Sequence, residues 1–172
     1  MGNITFVVGG ARSGKSSYAL TEAKKYGKRV AFVATAAAGD DEMRTRIRMH
    51  KKVRPLHWKT FEETKNLNST LQSLGGRFDS VLIDCLSLWV SNLLLEGKSA
   101  AAIKKEMRRV LKTLRAASYR SLLVSNEVGL GIVPDNALGR QFRDIAGAVN
   151  QLAAQKADEV FFMISGVPLK IK

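Results

Sequence analysis

The segment that most constrains this fold runs Gly9-Gly10-Ala11-Arg12-Ser13-Gly14-Lys15-Ser16 and matches the pattern G-x-x-x-x-G-K-[ST]. A continuous β-branched and aromatic run at 4–8 precedes it, and a helical pattern at 15–26 follows it. In this position the glycines let successive backbone N–H groups turn towards one anion, and the helix N-terminus adds partial positive charge. The segment predicts a phosphate-binding loop between a buried strand and a helix.

The remaining chain alternates short apolar runs with longer amphipathic segments. Strands are predicted at 29–34, 57–61, 80–84 and 121–125, and helices at 40–52, 86–95, 98–116 and 135–155, with Asp40 and Asp135 as caps. Two last strands, 159–164 and 167–171, flank Ser165-Gly166 and predict an antiparallel hairpin. The 172 residues therefore predict a three-layer α/β fold of the RecA-like P-loop NTPase kind, as one nucleotide-binding domain over 1–172.

The chain is strongly basic, with 28 Lys plus Arg against 15 Asp plus Glu and a formal net charge of +13. Such a charge indicates an anionic partner. Much of the excess lies on the predicted helix 98–116, outside an apolar stripe formed by Ile103, Met107, Val110, Leu111 and Leu114. Because no basic stretch is interleaved with aromatic residues, we interpret this as a solvated face and expect no nucleic-acid partner.

The sequence bears on cellular location only through two absent features, a membrane helix and a secretory signal. No apolar run approaches the roughly 18 residues of a membrane helix, and no secretory signal precedes the first strand. The single cysteine, Cys85, cannot form an intrachain disulfide and is expected to be a small buried residue. We expect a cytoplasmic protein with no membrane insertion.

Three polar residues complete the chemistry that a phosphate loop requires. Lys15 is expected to reach the outer phosphates of a nucleotide and to act in catalysis. The hydroxyl of Ser16 is expected to bind Mg²⁺, and the second ligand should be an acid at the end of an apolar strand. Asp84 ends the run Val-Leu-Ile-Asp and fits that role. The sequence predicts a magnesium site at Ser16 and Asp84.

Only two histidines are available, and they differ in context. His50 shares a helical face with Met43 and Ile47, beside a basic stripe of Arg44, Arg48 and Lys51. One interpretation is a nucleophile towards phosphorus, with the cations holding the phosphates near it. The other is a core histidine bonded to a backbone carbonyl. His57 lies beside Trp58 on a predicted strand, and we interpret it as structural.

Several further strings, spread along almost the whole chain, resemble one family, the bifunctional adenosylcobinamide kinases and adenosylcobinamide-phosphate guanylyltransferases. They are GGARSGKS at 9–16, ATA at 34–36, DDEM..RI..H...RP..W.T.E at 40–62, LIDCL with WVSNLL within 82–94, SNEVG.GIVP.N at 125–136, FRD.AG.VNQ at 142–151 and SG.P.KIK at the end. Together they are far more specific than a phosphate loop alone.

The resemblance implies roles for residues that the spacing left open. It implies that His50, followed by Arg54-Pro55, carries a guanylyl group. Glu62, just past a predicted strand, could accept hydrogen bonds from guanine N–H groups, and the alternative is a solvated carboxylate. The implied nucleotide site comprises the loop from Gly9 to Ser16 and Thr35, Ala36, Ala37, Lys52, Val53, Arg54, Pro55, Glu62 and Asp84. The implied cofactors are GTP, ATP and Mg²⁺. The implied partners are adenosylcobinamide, its phosphate and two further copies of the chain, in a homotrimer.

The resemblance also implies the reaction: an NTP phosphorylates adenosylcobinamide, and GMP from GTP then passes through a guanylyl-histidine to that phosphate. Glu127, Arg143 and Asn150 are candidates for binding cobinamide or for a subunit interface. Two alternatives stay open. One is a P-loop kinase of another small metabolite, in which His50 is structural. The other is a RecA-like nucleic-acid-binding ATPase, which the basic charge would serve.

Overall fold

The computed structural model describes residues 2–172, except for the side chain of Arg46, and these residues form seven strands and six helices. The strands are β1 (Ile4–Gly9), β2 (Val30–Ala34), β3 (Lys59–Glu62), β4 (Ser80–Asp84), β5 (Arg120–Asn126), β6 (Glu159–Ile164) and β7 (Val167–Lys170). The helices are α1 (Lys15–Lys25), α2 (Asp41–Lys52), α3 (Leu67–Leu74), α4 (Leu86–Leu95), α5 (Ala100–Ala116) and α6 (Ala137–Lys156).

The strands form one sheet in the order β3-β2-β4-β5-β1-β6-β7. All neighbouring strands run parallel except the last pair, β6 and β7, which is an antiparallel hairpin. The phosphate-loop strand β1 is therefore central, and β5 separates it from β4, which ends in Asp84. This arrangement confirms the predicted RecA-like P-loop NTPase fold, with a mostly parallel sheet and a C-terminal hairpin.

Helices cover the two faces of the sheet unequally. Along β1, Phe6 and Val8 face a large buried cluster that also contains residues of α3, α4, α5 and α6. Val7 faces a smaller cluster, to which α1 is the main helical contributor. Strands buried on both faces explain why the sequence shows continuous apolar runs instead of alternation.

The two longest helices are amphipathic. The predicted apolar stripe of α5 is buried from Ile103 to Leu114, whereas Lys105, Arg108, Arg109 and Lys112 are exposed. In α6, Ile145 and Val149 belong to the same cluster, and Ala146 is also buried. Among residues 2–172, no helix combines the length and the apolar character that crossing a bilayer requires.

Helix α2 differs from the others because none of its described residues belongs to either buried cluster. The side chain of Asp40 caps it by accepting a hydrogen bond from the Met43 N–H (2.7 Å), as the sequence predicts. Its twelve residues carry many charges and few apolar side chains. Every residue of the helix whose side chain is described is exposed or partly exposed, so the helix has no buried face.

Local details differ from the sequence-based prediction at three places. Helix α3 was not predicted, although Leu67, Leu71 and Leu74 have helical spacing, because its other residues are polar and it is only eight residues long. The strand predicted at 57–61 begins instead at Lys59, so His57 lies in the preceding turn. Helix α6 is capped by Asn136, whose side chain accepts from the Gly139 N–H, and not by Asp135.

Candidate active site

The phosphate loop leaves β1 at Gly9 and enters α1 after Gly14, so its backbone N–H groups lie at a helix N-terminus. A Cβ atom at Gly9 would lie 2.5 Å from the carbonyl oxygen of Met163, which leaves room only for glycine. Gly14 has φ 89°, a conformation that glycine adopts readily. Both glycines of the motif are therefore required by the backbone itself.

Lys15 is buried in the loop, with 7% of its surface exposed. Its ammonium donates hydrogen bonds to the Gly10 carbonyl oxygen and to Ser13 Oγ. Burial lowers the pKa of Lys15, and the nearby Cys85 and Asp84 oppose that shift. Since its hydrogen-bond partners are neutral, a phosphate oxygen that replaced them would favour the charged ammonium.

A cavity of about 760 Å³ opens between the phosphate loop, helix α2 and the carboxyl ends of the central strands. Many of the site residues predicted from the sequence line it: Ala11, Arg12, Ser13, Gly14, Lys15, Ser16, Ala36, His50, Arg54, Glu62 and Asp84. The fold thus brings together residues from the phosphate loop, α1, α2, β3 and β4. The carboxyl edge of a parallel sheet is where such folds bind ligands.

The other selected residues lie around this cavity without lining it. They are Gly9, Gly10, Thr35, Ala37, Lys52, Val53 and Pro55. Thr35 is fully buried, and its hydroxyl both donates to the Cys85 carbonyl and accepts from the Cys85 N–H, each at 2.7 Å. Thr35 therefore fixes the backbone that follows Asp84.

His50 is exposed on α2 and lines the cavity. The interpretation of His50 as a core histidine is wrong, because α2 has no buried face against which the ring could pack. His57, in contrast, is exposed in the turn before β3 and does not line the cavity. The two histidines are thus separated by position, and only His50 shares the cavity with the phosphate loop.

Ser16 and Asp84 face the same cavity from opposite sides of β5. The Asp84 carboxylate is half-buried and forms no hydrogen bond or ion pair with another described residue. A free carboxylate and a hydroxyl are hard oxygen donors of the kind that Mg²⁺ binds, usually together with water and phosphate oxygens. The donor set therefore fits a magnesium ion.

Arg54 adds a cation to the cavity wall. Its guanidinium lies over the Phe32 ring, 3.6 Å from the ring centroid, and its Nε and Nη1 atoms are buried with no partner among the described residues. Burial lowers the pKa of Arg54, while Asp84 and Glu62 act in the opposite direction. Glu62 itself accepts a hydrogen bond from the Lys51 ammonium. This part of the cavity is suited to an anionic ligand.

Asn126 also lines the cavity, although it is not among the site residues that the sequence predicts. The rule that found Asp84, a polar residue at the carboxyl end of a buried strand, would also have found it. The neighbouring candidates have local partners instead: Glu127 accepts from the Gly129 N–H (2.6 Å), and Arg143 pairs with Asp144 (3.6 Å). Asn150 is buried and donates to the Asn126 carbonyl oxygen (3.0 Å).

Comparison with known proteins agrees with this geometry. A family model described as cobinamide kinase / cobinamide phosphate guanyltransferase matches residues 5–171. The chain is 42% identical to the bifunctional adenosylcobalamin biosynthesis protein CobP of Pseudomonas aeruginosa, over 96% of this chain and 95% of that protein. Identity to the protein CobU is 42% in Salmonella typhimurium and 38% in Escherichia coli, in both cases over 96% of this chain and 98% of the relative. The chain therefore belongs to the cobinamide kinase / cobinamide phosphate guanyltransferase family of transferases, as its motifs predict.

Proposed function

We propose that this chain catalyses two successive transfers. The first moves the γ-phosphoryl group of an NTP, ATP or GTP, to the aminopropanol hydroxyl of adenosylcobinamide. The second moves GMP from GTP to the resulting phosphate and gives adenosylcobinamide-GDP. Two observations support the proposal: the family to which the chain belongs, and a single cavity that holds both a phosphate loop and an accessible histidine.

In the kinase step the chain's own residues bind and orient the triphosphate. The loop N–H groups and the α1 N-terminus hold the phosphates, and Lys15 balances charge on the outer ones. Ser16 and Asp84 would hold Mg²⁺, which when bound neutralises phosphate charge and orients the transferred group. No residue needs to form a covalent bond in this step.

The guanylyl step needs a nucleophile on the chain, and we assign that role to His50, which lines the cavity. A neutral imidazole nitrogen attacks the α-phosphorus, the bond from that phosphorus to the bridging oxygen breaks, and pyrophosphate leaves. A phosphate oxygen of adenosylcobinamide phosphate then displaces the imidazole, which restores the free histidine. In this step the phosphate loop holds the leaving group, which explains how one loop serves both transfers.

The observation that carries this proposal is that His50 lines the same cavity as Lys15. The test is incubation with GTP labelled at the α-phosphorus, followed by denaturation and treatment with acid or base. We expect a protein-bound label that survives base and is lost in acid, as for a phosphoramidate. A protein that transfers γ-phosphate to adenosylcobinamide but never acquires the α-label would be a simple kinase, and the guanylyl step would be rejected.

We further propose that the protein works as a homotrimer in the cytoplasm. The hairpin side chains Ile164, Val167, Leu169 and Ile171 are each more than half exposed, and such apolar patches are typical of protein contacts. The free, buried Cys85 is compatible with a reducing compartment. Sedimentation analysis of the purified protein tests the trimer, and a monomer at micromolar concentration would reject it.

A further inference from the structure

Asn126 ends β5, the strand that lies between the phosphate-loop strand β1 and the strand that ends in Asp84. In the sheet register Asn126 stands opposite Gly9, where the loop begins, and Val124 stands opposite Asp84. Because neighbouring strands lie about 4.8 Å apart, β1 and β4 are separated by roughly 10 Å. Asn126 therefore projects from the sheet edge between the loop lysine and the proposed metal ligand.

The position of Asn126 is fixed by hydrogen bonds to three parts of the fold. Its side-chain Nδ2 donates to Ser87 Oγ on α4 (2.8 Å), and its backbone carbonyl oxygen accepts from Asn150 Nδ2 on α6 (3.0 Å). The next residue, Glu127, donates its N–H to the Gly9 carbonyl oxygen (2.9 Å). Ser87 and Asn150 are both buried, so Asn126 is anchored before any ligand binds.

Part of the Asn126 amide is left without a partner. A carboxamide offers two N–H donors and two acceptor positions on its oxygen. Ser87 takes one donor, and the remaining N–H and the Oδ1 atom form no hydrogen bond with another described residue. Since Asn126 lines the cavity, these groups are available to a bound molecule. A neutral donor between a lysine and a carboxylate adds no net charge to a site already holding both.

From this placement we propose that Asn126 is a catalytic residue that donates its free amide N–H to an oxygen of the γ-phosphoryl group. The inference rests on the proposed function, because it needs a triphosphate in the loop. During phosphoryl transfer the bond from the γ-phosphorus to the bridging oxygen breaks and the nucleoside diphosphate leaves with its electron pair. A bond to the substrate hydroxyl oxygen forms, and the hydroxyl proton passes to water. Asn126 exchanges no proton and stabilises charge on the transferred group.

A purely structural role would make a different prediction. If Asn126 only tied β5 to Ser87, the isosteric Asn126→Asp variant would keep that bond, because the serine hydroxyl would donate to the carboxylate. Asn126→Ala would then be the more damaging change. A contact to the γ-phosphate reverses the order, since Asn126→Asp both removes the donor and places negative charge against the phosphate.

The first experiment measures binding and does not depend on turnover. GTP and GDP are titrated into the wild-type protein, Asn126→Ala and Asn126→Asp with Mg²⁺ present. We expect the preference for GTP over GDP to fall about tenfold in Asn126→Ala and further in Asn126→Asp, because only GTP carries the γ-phosphate. Unchanged preference in both variants would overturn the proposal.

The second experiment measures the kinase step with γ-labelled nucleotide. We expect the kcat of Asn126→Ala to fall about 100-fold, the size of effect seen when one preorganised donor is removed. Asn68→Ala is the matched control, because it removes another half-buried amide whose Oδ1 accepts from the Thr113 hydroxyl (2.7 Å), remote from the cavity. Equal losses of kcat in the two variants would reject Asn126 as catalytic. Absence of kinase activity in the wild-type protein would instead reject the proposed function and leave the binding result to decide on Asn126.

Discussion

The backbone N–H of Gly166, in the turn between β6 and β7, donates a hydrogen bond to the carbonyl oxygen of Ser13 in the phosphate loop (3.1 Å). A Cβ atom at Gly14 would lie 3.2 Å from the Gly166 Cα atom, so the two backbones are in contact. Ser165 and Gly166 have φ of 49° and 89°, which is the two-residue turn that joins twisted antiparallel strands. The turn between β6 and β7 therefore contacts and supports the backbone of the phosphate loop at Ser13 and Gly14.

Replacing Gly166 with alanine should weaken GTP binding severalfold. An added Cβ at Gly166 meets nothing within 4 Å, but the residue must keep φ 89°, which costs a non-glycine residue about 1 kcal/mol. Relaxation of that strain would turn the N–H away from Ser13. The control is Gly97→Ala, at φ 83° with equally open space after α4. Similar GTP affinities for the two variants would show that the turn does not support the loop.

Lys15→Ala should abolish both proposed transfers. The substitution removes the cation that balances the outer phosphates in the kinase step and the pyrophosphate leaving group in the guanylyl step. Assays with γ-labelled and α-labelled GTP measure the two transfers separately on one protein preparation. Loss of only one of them would contradict a shared phosphate site.

Asp84→Asn should raise the Mg²⁺ concentration needed for half-maximal activity. The amide preserves the shape of the side chain but removes the negative charge that holds the ion and its water. Since the Asp84 carboxylate has no hydrogen-bond partner among residues 2–172, we expect little change in thermal stability. A Mg²⁺ titration that matches the wild-type curve would exclude Asp84 as a ligand.

His50→Ala separates the two transfers. The kinase step should persist, because it needs no protein nucleophile, whereas the covalent GMP label and guanylyl transfer should fall to background. His57→Ala is the matched control, because His57 is exposed at a similar surface but does not line the cavity. If His57→Ala abolished the label and His50→Ala kept it, the nucleophile would have been misassigned.

The Cys85 thiol should resist alkylation in the folded protein. Burial is the main cause that raises the pKa of Cys85 to about 11, from 9.0. Because the pKa of Cys85 is higher in the folded protein than in the unfolded chain, the neutral thiol is favoured in the folded state. Its contribution to the free energy of unfolding is fully present below pH 9 and is lost as the pH rises through about 11. Reaction with iodoacetamide at pH 8.5 should be slow in buffer and fast in denaturant. Equal rates in both would show that the thiol is exposed.

The parts of this fold that the sequence predicted correctly are those that depend on residues close together in sequence. The phosphate loop, the buried strands and the apolar stripe of α5 each depend on local spacing and residue type. Local pattern also places Asp84 at the end of β4, and its role as a magnesium ligand stays a prediction. Family motifs then selected residues on α2 and β3 that spacing alone could not assign.

Other parts of the site depend on contacts between distant segments. Nothing near Ser13 indicates that its carbonyl oxygen accepts from Gly166, at the other end of the chain. The stacking of Arg54 on Phe32 likewise joins the segment after α2 to strand β2, and the whole of α2 separates these two residues in sequence. The predicted cap of α6 was wrong by one residue. Asp135 and Asn136 are both residues that favour the N-cap position, and only the backbone conformation decides between them.

The strand order has a consequence for synthesis of the chain on the ribosome. Strand β1 emerges before the other six strands, yet its two neighbours in the sheet are β5 and β6, which are translated much later. Until then the strand that carries the phosphate loop has no partner, and the loop lacks the turn that supports it. A nascent chain that already contains the whole phosphate-loop motif is therefore expected to gain the support of that loop only after β5, β6 and the turn that follows β6 have been translated.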